Sequence, residues 1–335
     1  MEYIPPPVNL YPALAQEKTD KVLAPEQHRL RKRRKLAAVL AASAISLSVP
    51  NAGVNRDSEE PVHYLPVGEQ TQPDQNSIVT ITANVAGIGD LDSQLSYVHD
   101  QLNPDFVCLQ EVNQSDVGRY MRAFPGYWGE YVMADGYVDF PDGLGDLIIS
   151  RYKPTVSFTE QFDGNFEWVE FGKNLFHRSF FENIRKSRKE NRAAIAIHVN
   201  VPTENGPELS TYVISTHLAA PGGPGEYQFE SLRRFVDDDV ASNKDALTIV
   251  AGDLNRTPTQ VRPGLKRVYI PDIGPTSGDR QIDYIMITPT IKVDSDTKAY
   301  AKIDTKLVPQ LKTDHTAGMG VVNISWLNRH NPTEQ

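Results

Sequence analysis

Asp253 and Asn255, in the stretch Ala251-Gly252-Asp253-Leu254-Asn255-Arg256-Thr257-Pro258, place a carboxylate and a carboxamide two residues apart. They follow a short apolar run, Ala246 to Val250, of the kind that forms a buried strand in a parallel sheet. Gly252 is expected to let the backbone leave the sheet, and Pro258 to stop a helix from starting at once. Taken alone, Gly-Asp-x-Asn is more often a plain turn. The chemistry lies in its company, because other runs that read as strands also finish beside polar side chains. Asn84 and Glu111 follow the first two, His217 follows a later one, and Thr313-Asp314-His315 precedes the last. Singly, Glu111 reads as a solvated loop carboxylate and His217 as a hydrogen-bonded core histidine. Together they supply hard oxygen ligands, two imidazoles and supporting carboxylates, the set that metal-assisted attack on a phosphate requires.

Ile78 to Thr82, Phe106 to Leu109, Leu147 to Ile149, Ala193 to Val201, Tyr212 to Thr216, Ile282 to Ile287 and Gly318 to Ile324 read as the strands that must hold these groups. Leu91, Leu95, Val98 and Leu102 have helical spacing, closed by Asn103-Pro104. Val117 to Phe124 reads as a short helix and Tyr227 to Val240 as a longer one. Glu160 to Asn191 has no clear period and reads as a surface insertion, aromatic first and then basic at Arg185, Lys186, Arg188 and Lys189.

The formal net charge is -9; residues 1–60 hold nine Lys/Arg against seven Asp/Glu, which leaves -11 for the rest. A body this acidic is a poor passive binder of polyphosphate, so a phosphate partner must be met by a local site or through a cation. Cys108, the only cysteine, sits in an apolar run and reads as a buried small hydrophobe; disulfide and thiol chemistry are set aside. Residues 1–35 read as a disordered, finally basic arm, 36–50 as a signal peptide or signal anchor able to tether the chain to a membrane, 51–76 as a linker, 77–325 as the catalytic domain and 326–335 as a tail. A secreted or membrane-anchored chain with its catalytic domain outside the cytoplasm follows from that reading.

Asn84 in ITANVAG, Glu111 in LQEV, Arg192 in ENRAAIAIHV, His217 in STHLAAP, the AGDLNRTP stretch, Asp283 in QIDYIMI and the Thr313-Asp314-His315 triplet resemble, in order, the motifs of the endonuclease/exonuclease/phosphatase (DNase I-like) superfamily. The resemblance covers roughly residues 77–325. It implies a four-layer α/β/β/α sandwich with two mostly antiparallel sheets, which amends the parallel reading of the strand before Asp253. It implies Mg²⁺, with Mn²⁺ or Ca²⁺ as alternatives, held by Glu111 with Asn84 and Asp314. Asp253, oriented by Asn255, would activate the attacking water; His217 and His315 would donate to the phosphate, and Asp283 would fix the His315 tautomer. Arg192 and Arg256 are candidate phosphate-binding residues, Arg192 being equally suited to a neighbouring carboxylate. Many relatives carry a tyrosine or acid before the strand at Leu147; here Asp142 is the candidate partner of His217. The expected activity is phosphodiester hydrolysis by a monomer with nucleic acid as substrate. The alternative is a sphingomyelinase-like or inositide phosphatase-like lipid phosphoesterase, with Phe162, Phe166 and Trp168 among the aromatics touching membrane; a binding module without catalysis is disfavoured because no expected ionisable residue is missing.

Overall fold

The computed structural model describes residues 61–68, 74, 76–86, 91–134, 144–162, 192–204, 207–221, 224–292 and 298–324. Their strands are β1 (Val62–Tyr64), β2 (Ser77–Asn84), β3 (Phe106–Asn113), β4 (Trp128–Ala134), β5 (Leu144–Ser150), β6 (Val156–Phe162), β7 (Arg192–Val201), β8 (Leu209–His217), β9 (Leu247–Asp253), β10 (Asp283–Ile287), β11 (Thr290–Lys292), β12 (Lys298–Tyr300), β13 (Lys302–Lys312) and β14 (Thr316–Asn323). The helices are α1 (Leu91–Tyr97), α2 (Val117–Ala123), α3 (Pro224–Arg233) and α4 (Pro258–Val261); α1 and α3 run on into wider π turns, Val98–Leu102 and Arg234–Val240.

Two sheets form the middle of the molecule, in the order β1-β4-β5-β3-β2-β14-β13 and β10-β9-β8-β7-β6. Apolar side chains fix how they stack. Ile78, Phe106, Cys108 and Ile148 from the first sheet pack against Ile195, Ile197, Val213, Leu247 and Ile249 from the second, forming the layer between them. The outer face of the first sheet is covered by Leu95, Val98, Val117 and Tyr120 of the α1 and α2 region. That of the second is covered by Leu232, Phe235, Val236 and Val240 of α3 and its π turn. The result is a helix, sheet, sheet, helix sandwich, the layering expected from the sequence.

Only two neighbouring pairs in the large sheets are parallel, β2 with β3 and β8 with β9. Each is bridged by a helix, α1 or α3, because a parallel pair needs a long crossover while an antiparallel pair does not. The strand before Asp253 therefore has one parallel neighbour, β8, and one antiparallel neighbour, β10. Both readings of that strand hold, one on each side of it.

Several local expectations are corrected. Gly252 does not end the strand, since β9 runs through it to Asp253; its φ is +148°, and a Cβ there would lie 1.9 Å from the Thr216 carbonyl oxygen. Pro258 starts a helix instead of delaying one. It opens α4 behind Thr257, whose N–H donates to the Gln260 side chain (2.9 Å), because a first-turn proline gives up only an N–H that has no partner there. Residues 62–64, expected in a linker, pair with β4 as an edge strand. β13 escaped notice because Lys302, Asp304 and Lys306 break its apolar pattern and Pro309 interrupts it. An edge strand tolerates both, and its register shifts between Val308 and Lys312. Phe162 is buried against the second sheet, so it is core and not a membrane contact. The rest of the aromatic and basic insertion, the segment 36–50 and Asp142 lie outside the described residues. Among the described residues no helix is long and apolar enough to cross a membrane.

Candidate active site

One end of the sandwich collects the polar strand ends. In the second sheet the register sets three of them side by side: His217 of β8 pairs with Asp253 of β9, and Asp253 with Asp283 of β10. Asn84 at the end of β2 and Glu111 in β3 come from the first sheet. Glu111 sits at a break in the β3–β5 register with φ +58°, so a bulge turns its carboxylate out of the ladder and toward the site.

Asp253 is the hub. Its Oδ1 accepts the Asn255 N–H (2.7 Å) and its Oδ2 accepts the Asn84 amide (3.3 Å). That Oδ2 is 3.6 Å from His217 Nε2 and 3.7 Å from His315 Nδ1. Asn255 reaches this position with φ +52°, a left-handed conformation that asparagine accepts readily, and its amide also donates to the Leu218 carbonyl (2.9 Å). The same Asn84 amide donates to Glu111 Oε1 (3.0 Å), joining the two sheets through one side chain. His315 Nδ1 donates to Asp283 Oδ2 at 2.9 Å, the pairing expected from the sequence.

Two threonines hold the loops that carry these groups. Thr313 donates to the Asn84 carbonyl (3.0 Å) and accepts the His315 N–H (3.0 Å), which sets the 313–315 turn beside Asn84. Thr276 accepts the N–H groups of Ile282 and Asp283 (both 3.1 Å), and its carbonyl accepts the Thr316 N–H (2.7 Å). Beneath the site Gln110 donates to Ser215 (3.1 Å) across the sandwich. Gln110, Thr276 and Asp146 were missed in the sequence. For Asp146 a signal was present: a charge inside the apolar stretch Leu-Gly-Asp-Leu-Ile-Ile has to be buried, and it is 1% exposed.

The electrostatics separate the groups. Burial and the neighbouring Asp283 push Asp253 up to about 7, against His315, the Asn255 N–H and the Asn84 amide. Burial works against the charge on His315, but Asp283, by hydrogen bond and by charge, and then Asp253 and Asp314 outweigh it and raise it to about 9. Burial, with the positive charges of Arg192 and His315, holds His217 well below the usual histidine range. One histidine is thus cationic and the other neutral at pH 7.

Among the candidate phosphate ligands, Arg256 is corrected. It is 1% exposed, donates to the Leu254 (3.1 Å) and Ala219 (3.4 Å) carbonyls, lies 3.4 Å from Glu226 and stacks on Phe229, so it braces the loop and is closed to a phosphate. Arg192 is also buried, and its Nη1 faces His217 Nδ1 at 3.1 Å.

The site fits a hard divalent cation. Glu111, Asp253, Asp283 and Asp314 set negative charge around one mouth, and Asp283 Oδ1 is buried with no hydrogen-bond partner among the described residues. Asp253, Asp283 and His315 bring ligand atoms within 4.8 Å of one another. That trio differs from the expected set of Asn84, Glu111 and Asp314. His315 is a poor ligand within it, because its Nδ1 proton is committed to Asp283. Glu111, whose side chain keeps 23% of its exposure, is the better anchor. The 313–315 turn brings exposed Asp314 into the neighbourhood of Asn84, whose own Oδ1 accepts the Ala86 N–H (3.1 Å).

The endonuclease/exonuclease/phosphatase family model matches residues 81–297. No curated protein shows significant sequence similarity to the chain. Solved structures do share its fold. D. rerio TDP2, solved with a single-strand DNA product, is 16% identical, with a TM-score of 0.52 over 74% of this chain and 99% of that one. The human nocturnin catalytic domain, solved with a bound sulfate anion, is 17% identical, with a TM-score of 0.50 over 78% and 96%. An endonuclease/exonuclease/phosphatase from Beutenbergia cavernae is 19% identical, with a TM-score of 0.50 over 74% and 72%.

Proposed function

The chain belongs to the endonuclease/exonuclease/phosphatase family, and from that premise we propose that it is a divalent-metal-dependent nuclease cutting nucleic-acid phosphodiester bonds. The observation that carries this reading is the position of Asp253, one buried carboxylate reached by Asn84, Asn255, His217 and His315. With its pKa near 7, Asp253 is matched to taking a proton from water at neutral pH. The water oxygen bonds to phosphorus as its proton passes to Asp253, and the bond from phosphorus to the leaving oxygen breaks in line.

Asn255 and Asn84 hold the Asp253 carboxylate in one orientation through the step. His315 turns its Nε2–H outward because Nδ1 is held by Asp283, and it offers a positive donor to a non-bridging phosphate oxygen. His217 lies on the other side of Asp253 and donates beside it. When bound at Glu111, with Asn84 and Asp314 alongside, Mg²⁺ supplies Lewis-acid charge for the phosphoryl and leaving oxygens. The neighbouring fold that holds single-strand DNA product supports nucleic acid as the substrate class. The basic run before residue 36 and the uncharged stretch after it support export or anchoring of the chain by its N-terminal segment.

The purified chain with Mg²⁺ is expected to nick plasmid DNA and to stop in EDTA. Asp253→Ala and His217→Ala are each expected to lower the rate about 10²- to 10⁴-fold. Intact plasmid beside phosphocholine released from sphingomyelin, or inorganic phosphate from an inositide, would replace the nuclease reading with the lipid one.

A further inference from the structure

The layer between the two sheets changes character as it approaches the site. Its middle is apolar, with Ile78, Phe106 and Cys108 on one side and Val213, Leu247 and Ile249 on the other. One step nearer the mouth stand Thr82 on β2, Gln110 on β3 and Ser215 on β8, each fully buried. Each precedes a residue of the site by one or two positions: Asn84, Glu111 and His217. A strand turns alternate side chains to one face, so Thr82 shares its face with Asn84, and Ser215 with His217. The hydrolytic scheme leaves this polar tier unused.

Gln110 ties the tier together. Its amide nitrogen donates to the Cys108 carbonyl on its own strand (3.1 Å) and to Ser215 Oγ on the opposite sheet (3.1 Å), and its Oε1 accepts the Thr82 hydroxyl (3.3 Å). The Cys108 carbonyl can only accept, which fixes the end of the amide that points to it. Gln110 is also where β3 leaves its register with β5. Leu109 pairs with Leu147 and Val112 with Gly145, so Gln110 and Glu111 together stand opposite Asp146 alone, and Glu111 is turned out at φ +58°. A bulge leaves the ladder locally unpaired, and here a side chain from within it reaches the other sheet. The Gln110 main-chain carbonyl accepts the Val85 N–H (3.0 Å), next to Asn84. Above the tier, Glu111 Oε1 comes to 3.6 Å from His217 Nδ1, although the two belong to different sheets.

We propose that Gln110 is a positioning residue: its buried amide clamps the β3 bulge to Ser215 of β8 and so sets the spacing of Glu111 from His217 and Asp253. It acts on the reaction only through those three. The apolar layer holds the sheets together without directional preference, whereas the bonds of the amide select one separation and one register.

The inference rests on Glu111 anchoring the cation in the proposed reaction, and its test separates the two claims. Crystal structures of the unmutated chain, Gln110→Met and Ser215→Ala in EDTA report the spacing without metal or substrate. Both variants are expected to move Glu111 relative to His217 by more than about 0.5 Å, the tolerance of a productive site; an unmoved pair in both would overturn the clamp whatever the activity. Both are also expected to weaken Mn²⁺ binding, followed by EPR without nucleic acid, and to lower kcat for plasmid nicking per folded molecule, each roughly tenfold to a hundredfold. Ser215→Ala keeps the bonds of Gln110 within its own sheet, so it reads the cross-sheet bond alone should Gln110→Met fail to fold. The double variant is expected to lose no more than Gln110→Met, because both changes cut the same bond. Unchanged Mn²⁺ affinity, with activity that follows only the folded fraction, would reduce Gln110 to a packing residue. A displaced Glu111 and weakened Mn²⁺ binding, in a chain inert toward every phosphodiester, would leave the clamp standing and remove the nuclease reading.

Discussion

Asp253 and His315 share one small volume and are pushed in the same direction for opposite reasons. Asp253 rises from its ordinary 3.8 to about 7 because burial and Asp283 disfavour its anion. His315 rises from 6.5 to about 9 because Asp283, Asp253 and Asp314 favour its cation by more than burial opposes it. The consequences for stability carry definite signs. The raised acid binds its proton more tightly in the folded chain, so stability falls as pH climbs from about 4 to about 7. The raised base contributes in full below 6.5, and that contribution is lost as pH climbs through about 9, on the order of 3 kcal/mol at most. Urea midpoints in EDTA are expected to fall in both windows, and Asp283→Asn should shrink the upper one. A midpoint independent of pH between 6.5 and 9.5 would contradict the His315–Asp283 pairing. The residue types were legible in the sequence; the pairing of His315 with Asp283, 32 positions away, came there from the family resemblance and is fixed here by distance.

The β9 strand and the loop after it show how an element decides what its residues can do. Gly252 lies opposite Thr216 in the parallel β8–β9 pair, and the Thr216 carbonyl occupies the place of a side chain. Gly252→Ala is therefore expected to cost several kcal/mol or to prevent folding, seen as a loss of the cooperative urea transition. A midpoint within 0.5 kcal/mol of the unmutated chain, on the scale of ordinary surface substitutions, would show that the strands can part there. The sequence showed that a glycine was needed but suggested the wrong reason, because a close carbonyl from another strand leaves no local trace. Arg256 carries the same lesson. Beside Asn255 it reads as a phosphate ligand, yet it folds back on Leu254, Ala219 and Phe229. Arg256→Met is expected to lower the thermal midpoint and leave KM for DNA unchanged, while a raised KM with the midpoint held would return it to the phosphate.

At the scale of the whole molecule the site exists because two sheets are clamped face to face by one apolar layer, to which the fully buried Ile195 belongs. Ile195→Ala is expected to cost about 2–5 kcal/mol and to weaken nicking only as far as the folded fraction falls, which parallel urea and activity titrations would show. The acidic balance of the body was already plain in the composition, and it would leave any nucleic-acid affinity to local features. The sequence by itself determined the core strands β2, β3, β5, β7, β8, β9, β10 and β14, the identities of the polar groups at the strand ends and, through their order, the family, since these depend on local apolar patterning and on residue type; it left β4, β6 and β13 unread. Only the tertiary structure decided that Arg256 turns inward, that Arg192 addresses a histidine and that Gln110 reaches across to Ser215. Those outcomes depend on which strands become neighbours across the sandwich, and contacts between distant segments are set by packing, which short-range pattern does not encode.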